Sequence, residues 1–177
     1  MITKVLIVAM IIVESGGNPD AVSPAGAIGL LQITPIGVRE VQNQYGLTKP
    51  PNLRDPYENV CYGILLLDFY ISKTRSITEA LVVYNSGYAG LARWRGGIPL
   101  SQETAEYIPK VLRNRARLNR MFDRELRSNN GIRAIVDDVW DDLYGSGEGG
   151  EGFLPAGGLR ALRDPSGANP VYCSIPL

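Results

Sequence analysis

Val5-Leu6-Ile7-Val8-Ala9-Met10-Ile11-Ile12-Val13 runs unbroken into Glu14, and Ser15-Gly16-Gly17 follows at once. Read from residue 2, this segment is apolar nearly all round, as a central buried helix would be, and the two glycines stop it. It also imitates a short signal peptide. It is too short to span a bilayer, and no small-residue cleavage site follows cleanly. A cut after the apolar run would fall beside or beyond Glu14. The expectation is therefore a core helix, with no signal peptide and no membrane span.

Downstream, the periodicity is helical and no sustained apolar-polar alternation suggests a sheet. Residues 18–33 are rich in Gly, Pro, Ser and Ala and read as a long shaped loop. Pro35 suits the first turn of a helix running to about Tyr45, closed by Gly46. Residues 49–52 read as a turn. Asp55 before Pro56 opens a long helix to about Lys73, with Val60, Ile64, Leu67 and Ile71 on one stripe. Ser76 or Thr78 caps a further helix through Tyr84. A glycine-rich connection, 87–97, then leads to a helix from about Ser101 to Leu126, with Pro109 as a candidate break. The expected fold class is all-α. Residues 1–127 form the domain and 128–144 an extra C-terminal helix; 145–177 form a flexible or partner-ordered tail rich in Gly and Pro.

Composition narrows the chemistry. The 18 Lys and Arg residues balance 18 Asp and Glu residues, so nothing global favours nucleic acid or an anionic membrane as partner. The basic stretch 113–127 and the acidic stretch 137–142 read as solvated helix faces. The absence of histidine removes the commonest zinc and haem ligand and the usual base for Ser or Cys nucleophiles. No metal or cofactor is expected. Cys61 lies in an apolar run and reads as a buried thiol; a disulfide with the distant Cys173 is the less favoured alternative.

Glu14 is the residue with chemical promise. A carboxyl group at the end of an apolar helix faces burial and the negative end of the helix dipole, and both disfavour its charged form. A carboxyl kept protonated near neutral pH is what a general acid at a glycosidic oxygen requires. The bland alternative is a surface residue at a helix end. Asp20, in the loop, is the one nearby Asp that could act as a partner.

The segment from Glu14 onward resembles the catalytic signature of the soluble lytic transglycosylases, a lysozyme-like family that cleaves peptidoglycan. Glu14, Ser15, Gly16, Ser23, Gly26, Ala27, Gly29, Leu30, Gln32 and Pro35 match that pattern in register. Three later segments match in order: Asp55, Pro56, Asn59 and Gly63; then Tyr84, Asn85 and Gly87; then Glu103, Thr104 and Tyr107. Together they cover roughly residues 5–118. The resemblance implies an α-rich lysozyme-like domain in which Glu14 is the sole acid and base. It implies that Tyr84 donates a hydrogen bond to Glu14, and that Ser23, Gln32 and Asn85 lie against sugar. Glu103 would sit deeper, and Tyr107 would be structural or part of the cleft wall.

Each assignment has a plainer alternative. Tyr84 could be a core tyrosine, Gln32 a brace for its loop, and Glu103 a charge favouring the helix dipole. Trp94 could stack on sugar or cap the core, and the core reading is favoured. Ser15 and Gly16 read as shaping the turn. The implied substrate is the glycan strand of peptidoglycan, cut to leave 1,6-anhydro ends. Relatives are usually exported, and a minimal domain without an export signal resembles the wall-degrading modules carried in bacteriophage virions. The expectations are thus a virion-associated protein delivered to the bacterial periplasm or wall, and a tail that contacts other virion or secretion-complex proteins. The competing readings are a hydrolytic lysozyme, a secretion-system accessory and an inactive structural virion protein.

Overall fold

The computed structural model describes residues 2–122 and Asp137. The expected tail, and the expected extra helix apart from Asp137, lie outside the described residues. Residues 2–122 form five helices: α1 (Lys4–Glu14), α2 (Pro35–Tyr45), α3 (Pro56–Thr74), α4 (Ile77–Arg95) and α5 (Gln102–Phe122). Extended pairing among the described residues is confined to isolated bridges, Val22 with Ile28 and Ile28 with Ile33. The chain is all-α.

Side-chain caps start the helices where the sequence places them. Thr3, Thr34, Asp55 and Ser76 each accept a hydrogen bond from a backbone N–H in the first turn, satisfying a donor that has no partner within the helix. Gly46 closes α2 in the left-handed conformation that glycine adopts without penalty. Helix α1 packs on α5, α3 on both α2 and α4, and α4 on α5.

Four expectations need correction. The central helix is α3, not α1: residues 59–67 are buried without interruption, whereas Ile12 of α1 is exposed and Val8 and Val13 are only half-buried. Helix α3 has neighbours on two sides, so burial follows packing more than uniform apolarity. Secondly, the glycine-rich stretch after Tyr84 is not a loop. Helix α4 continues to Arg95 through a kink at Gly87, whose φ is 70° and ψ 176°. Buried Leu91 anchors the second piece, and Arg95 Nε reaches back across the kink to Glu79 Oε1 at 3.0 Å.

Thirdly, Pro109 lies inside a continuous α5. It cannot donate to the carbonyl of Ala105, but both residues are exposed, so water can satisfy that oxygen. Burial of Tyr107, Ile108 and Val111 on either side keeps the helix in register. Finally, Cys61 is buried as expected, but as a half-cystine and not a free thiol. Cys173 lies outside the described residues. Among the described residues, no helix is long and apolar enough to cross a membrane.

Candidate active site

The loop after α1 is held in one shape by groups from three helices. Ser15 Oγ, at the end of α1, donates to the Leu30 carbonyl at 2.8 Å. Asn59, fully buried on α3, accepts from Leu31 N–H at 2.8 Å and donates to the carbonyls of Ile28 and Leu53, each at 2.9 Å. Tyr84, on α4, donates to the Leu31 carbonyl at 2.8 Å. Two glycines make the close approach feasible. At Gly29, with φ at +81°, a Cβ would fall 2.2 Å from Asn59 Nδ2 and 2.4 Å from the Leu53 carbonyl oxygen. At Gly63 it would fall 2.2 Å from Leu31 Cδ1. These are contacts that only glycine permits.

Between this loop and the α4–α5 side lies a cleft of about 440 Å³. Glu14, Ser23, Gln32, Tyr84, Asn85, Glu103 and Tyr107 all line it. Burial pushes the Glu14 carboxyl from its ordinary 4.5 up to about 7; nearby Glu103 adds to the rise, and the Tyr107 phenol opposes it. Tyr107 Oη itself is buried with no partner at hydrogen-bonding geometry, so its influence on Glu14 acts through a contact looser than a made bond. Asn85 Oδ1 is likewise buried without a partner. Burial, then the Glu14 charge, drives the phenols of Tyr84 and Tyr107 well above their ordinary range, so both stay protonated donors.

A family model for the Transglycosylase SLT domain matches residues 1–104. The chain belongs to this family. A transglycosylase of Enterobacteria phage PRD1 is 30% identical over 109 residues, covering 62% of this chain and 36% of its own length. The chain therefore spans little more than a third of that relative. The 70 kDa soluble lytic transglycosylase SLT70 of Escherichia coli superposes with a TM-score of 0.62 at 26% identity, over 71% of this chain and 23% of that one. An inactive mutant of the lytic transglycosylase Slt from Pseudomonas aeruginosa gives 0.61 at 23% identity, over 67% and 22%. That second likeness speaks for the fold alone.

Within the SLT domain, the structure gathers all seven sequence-selected residues into one cleft but gives some of them other partners. Tyr84 does not donate to Glu14; its proton goes to the Leu31 carbonyl. The phenol that bears on Glu14 is that of Tyr107. Glu103 is exposed at the cleft and not deep within it, because it occupies the solvent-facing first turn of α5. Gln32 both lines the cleft and braces the loop, since its amide nitrogen donates to the carbonyls of Gly29 and Ala21. Ser23 Oγ accepts from Ala27 N–H at 3.0 Å, closing a turn at the rim.

Trp94 is 37% exposed, is not packed on the core and is not among the cleft residues, so the favoured core reading of it does not hold. Sequence inspection missed Glu106 and Lys110, which also line the cleft and pair with each other at 3.0 Å. The signal was there: with Glu103 they stand at i, i+3 and i+7, one face of a helix. Among the described residues, no group of His, Cys, Asp or Glu is arranged to hold a metal ion.

Proposed function

We propose that this SLT domain is a peptidoglycan lytic transglycosylase with Glu14 as its single acid and base. The observation that carries the reading is the Glu14 carboxyl, half-buried in the wall of a cleft and held at about 7. Such a group is protonated in a large fraction of molecules at neutral pH and can also accept a proton there.

In the proposed reaction, protonated Glu14 gives its proton to the oxygen joining N-acetylmuramic acid to N-acetylglucosamine. The glycosidic bond breaks. The carboxylate then takes the proton of the muramoyl 6-hydroxyl as that oxygen bonds the anomeric carbon, closing a 1,6-anhydro ring. Glu14 ends as it began, and no water is consumed. The acetamido group of the substrate can shield the positive charge at the anomeric carbon, so no carboxylate nucleophile is needed. Asn85 Oδ1, buried without a partner, suits a sugar N–H or O–H. Ser23 and Gln32 line the loop side of the sugar path, with Glu103 and Tyr107 opposite. Tyr84 acts indirectly, by fixing the loop.

A hydrolytic lysozyme is the second reading, favoured by the two further carboxylates in the cleft. Glu106 is tied to Lys110 and Gln102, whereas exposed Glu103 is the one placed to activate water. Mass spectrometry of digested glycan decides between them: anhydro ends are expected, and reducing ends would establish the hydrolase. Glu14→Gln should lower the rate by about 10²–10⁴-fold, the usual worth of a general acid; normal lysis by that variant refutes both mechanisms.

The likeness to a phage transglycosylase supports a virion address, with local wall opening during genome delivery. The segment 145–177 would then serve as the contact with other virion proteins, beyond a domain ending near 127. Mass spectrometry of purified virus particles tests this, and absence of the protein from them would favour a secretion-system role.

A further inference from the structure

A cleft of about 440 Å³ is sized for one drug-sized ligand, whereas a glycan strand is a polymer and must leave it at both ends. Tyr70, whose ring meets that of cleft-lining Tyr84, also supports an aromatic ring at the surface. Tyr88 is 41% exposed. It meets Tyr70 with centroids 5.7 Å apart and planes at 90°. Tyr70 meets Tyr84 in the same perpendicular manner, at 6.2 Å and 85°. The Tyr70 hydroxyl is in turn pinned by a hydrogen bond to Glu40 on α2. Gly87, in its left-handed conformation, turns the chain between Tyr84 and Tyr88, and both rings still contact the same central ring.

An exposed tyrosine normally loses side-chain freedom when a ligand covers it. Here that freedom is already restricted by Tyr70, so covering the outer face costs less. We propose that Tyr88 is a stacking platform for a pyranose ring of the same glycan strand, one aromatic residue outside the cleft. This rests on the glycan-cutting reading and extends it from a single cleft to a binding path. The platform favours long strands over short ones, because only a long strand occupies the cleft and reaches Tyr88 together.

The test compares long, peptide-stripped glycan strands with a purified tetrasaccharide. Initial rates are measured for the wild type, Tyr88→Ala, Tyr88→Leu and Tyr88→Phe. Binding of both ligands to a Glu14→Gln background is measured by calorimetry. The ratio of kcat/KM for long over short substrate should fall roughly three- to tenfold in the Ala and Leu variants, through KM and not kcat. Long-strand affinity should fall by the same factor. Phe, which keeps a flat face, should retain the wild-type ratio. Leu keeps apolar bulk without that face, so a purely structural role would leave it wild-type-like and overturn the proposal. An unchanged ratio in all variants, with the wild type still cutting glycan, overturns the platform alone. A wild type that cuts neither substrate overturns the glycan reading and the platform with it.

Discussion

The two sides of the cleft treat their polar groups in opposite ways. On the loop side, the named groups of Ser15, Asn59 and Tyr84 are each committed to a backbone partner, and so is the Gln32 amide nitrogen. On the α4–α5 side, Asn85 Oδ1 is buried with no partner, and buried Tyr107 Oη makes no full hydrogen bond and bears only on Glu14. Leaving a buried polar atom unpaired costs about 1–3 kcal/mol. A protein tolerates that cost where a ligand will supply the missing bond. One side is therefore a mould and the other a set of open valences, and Glu14 stands where they meet.

The most damaging way to break the mould is Gly29→Ala. The new Cβ would need the disfavoured left-handed backbone and would also displace Asn59, the residue that holds the loop to α3. Strain, overpacking and lost buried hydrogen bonds together should cost about 3–5 kcal/mol. Denaturant unfolding checks this. A loss below about 1 kcal/mol would mean the loop can be reset cheaply, since that is no more than glycine's own helix penalty.

The junction responds to pH. Glu14 binds its proton more tightly in the folded chain, with a value near 7 against 4.5. Protonation therefore favours folding. The contribution is fully present below about pH 4.5 and is lost as pH rises through about 7. Glu14→Gln, which cannot ionise, should match the wild type near pH 4 and exceed it near pH 8. The gain should approach but not surpass about 3.5 kcal/mol, because each tenfold gain in proton affinity on folding is worth about 1.4 kcal/mol. Equal stability curves across this range would mean that the carboxyl is not held in its acid form. The wild-type kcat/KM should fall over the same upper range as the acid is lost.

Much of the mould was legible because side chains that hold a backbone in an odd shape leave few substitutes. Gly29, Asn59 and Gly63 stand in the motif for steric and hydrogen-bonding reasons visible once Leu31 is placed between them. The caps at Asp55 and Ser76 and the closing Gly46 were legible for the same reason: local chemistry decides them. What pattern reading could not supply was the identity of partners across the fold. Tyr84 was expected to meet Glu14, yet its acceptor is the Leu31 carbonyl, a backbone atom that no motif of side chains can name. The kinked continuation of α4 was hidden because Gly87 looks like a terminator, and only tertiary contacts at Leu91 and Glu79 show that the helix resumes. Likewise the centrality of α3 depends on which helices flank it, which hydropathy alone does not encode.

The smallest effects discriminate most finely, because they set two buried tyrosines on opposite sides of one comparison. Tyr84→Phe removes a made bond and strands the Leu31 carbonyl, so it should cost about 1–2 kcal/mol of stability. Tyr107→Phe removes a hydroxyl that bears only on the Glu14 carboxyl, so near pH 4, where that carboxyl is protonated, stability should change by less than about 0.5 kcal/mol or rise. The functional consequences invert. The Tyr107 phenol lowers the Glu14 value, so its loss should raise that value further and carry the high-pH limb of kcat/KM upward. Tyr84→Phe should instead lower activity through a loosened loop, without moving the limb. Paired unfolding curves and pH–rate profiles of the two variants provide the measurement. If Tyr107→Phe proves the more destabilising and leaves the pH limb in place, its hydroxyl is an ordinary structural bond, and the division between committed and open polarity does not hold.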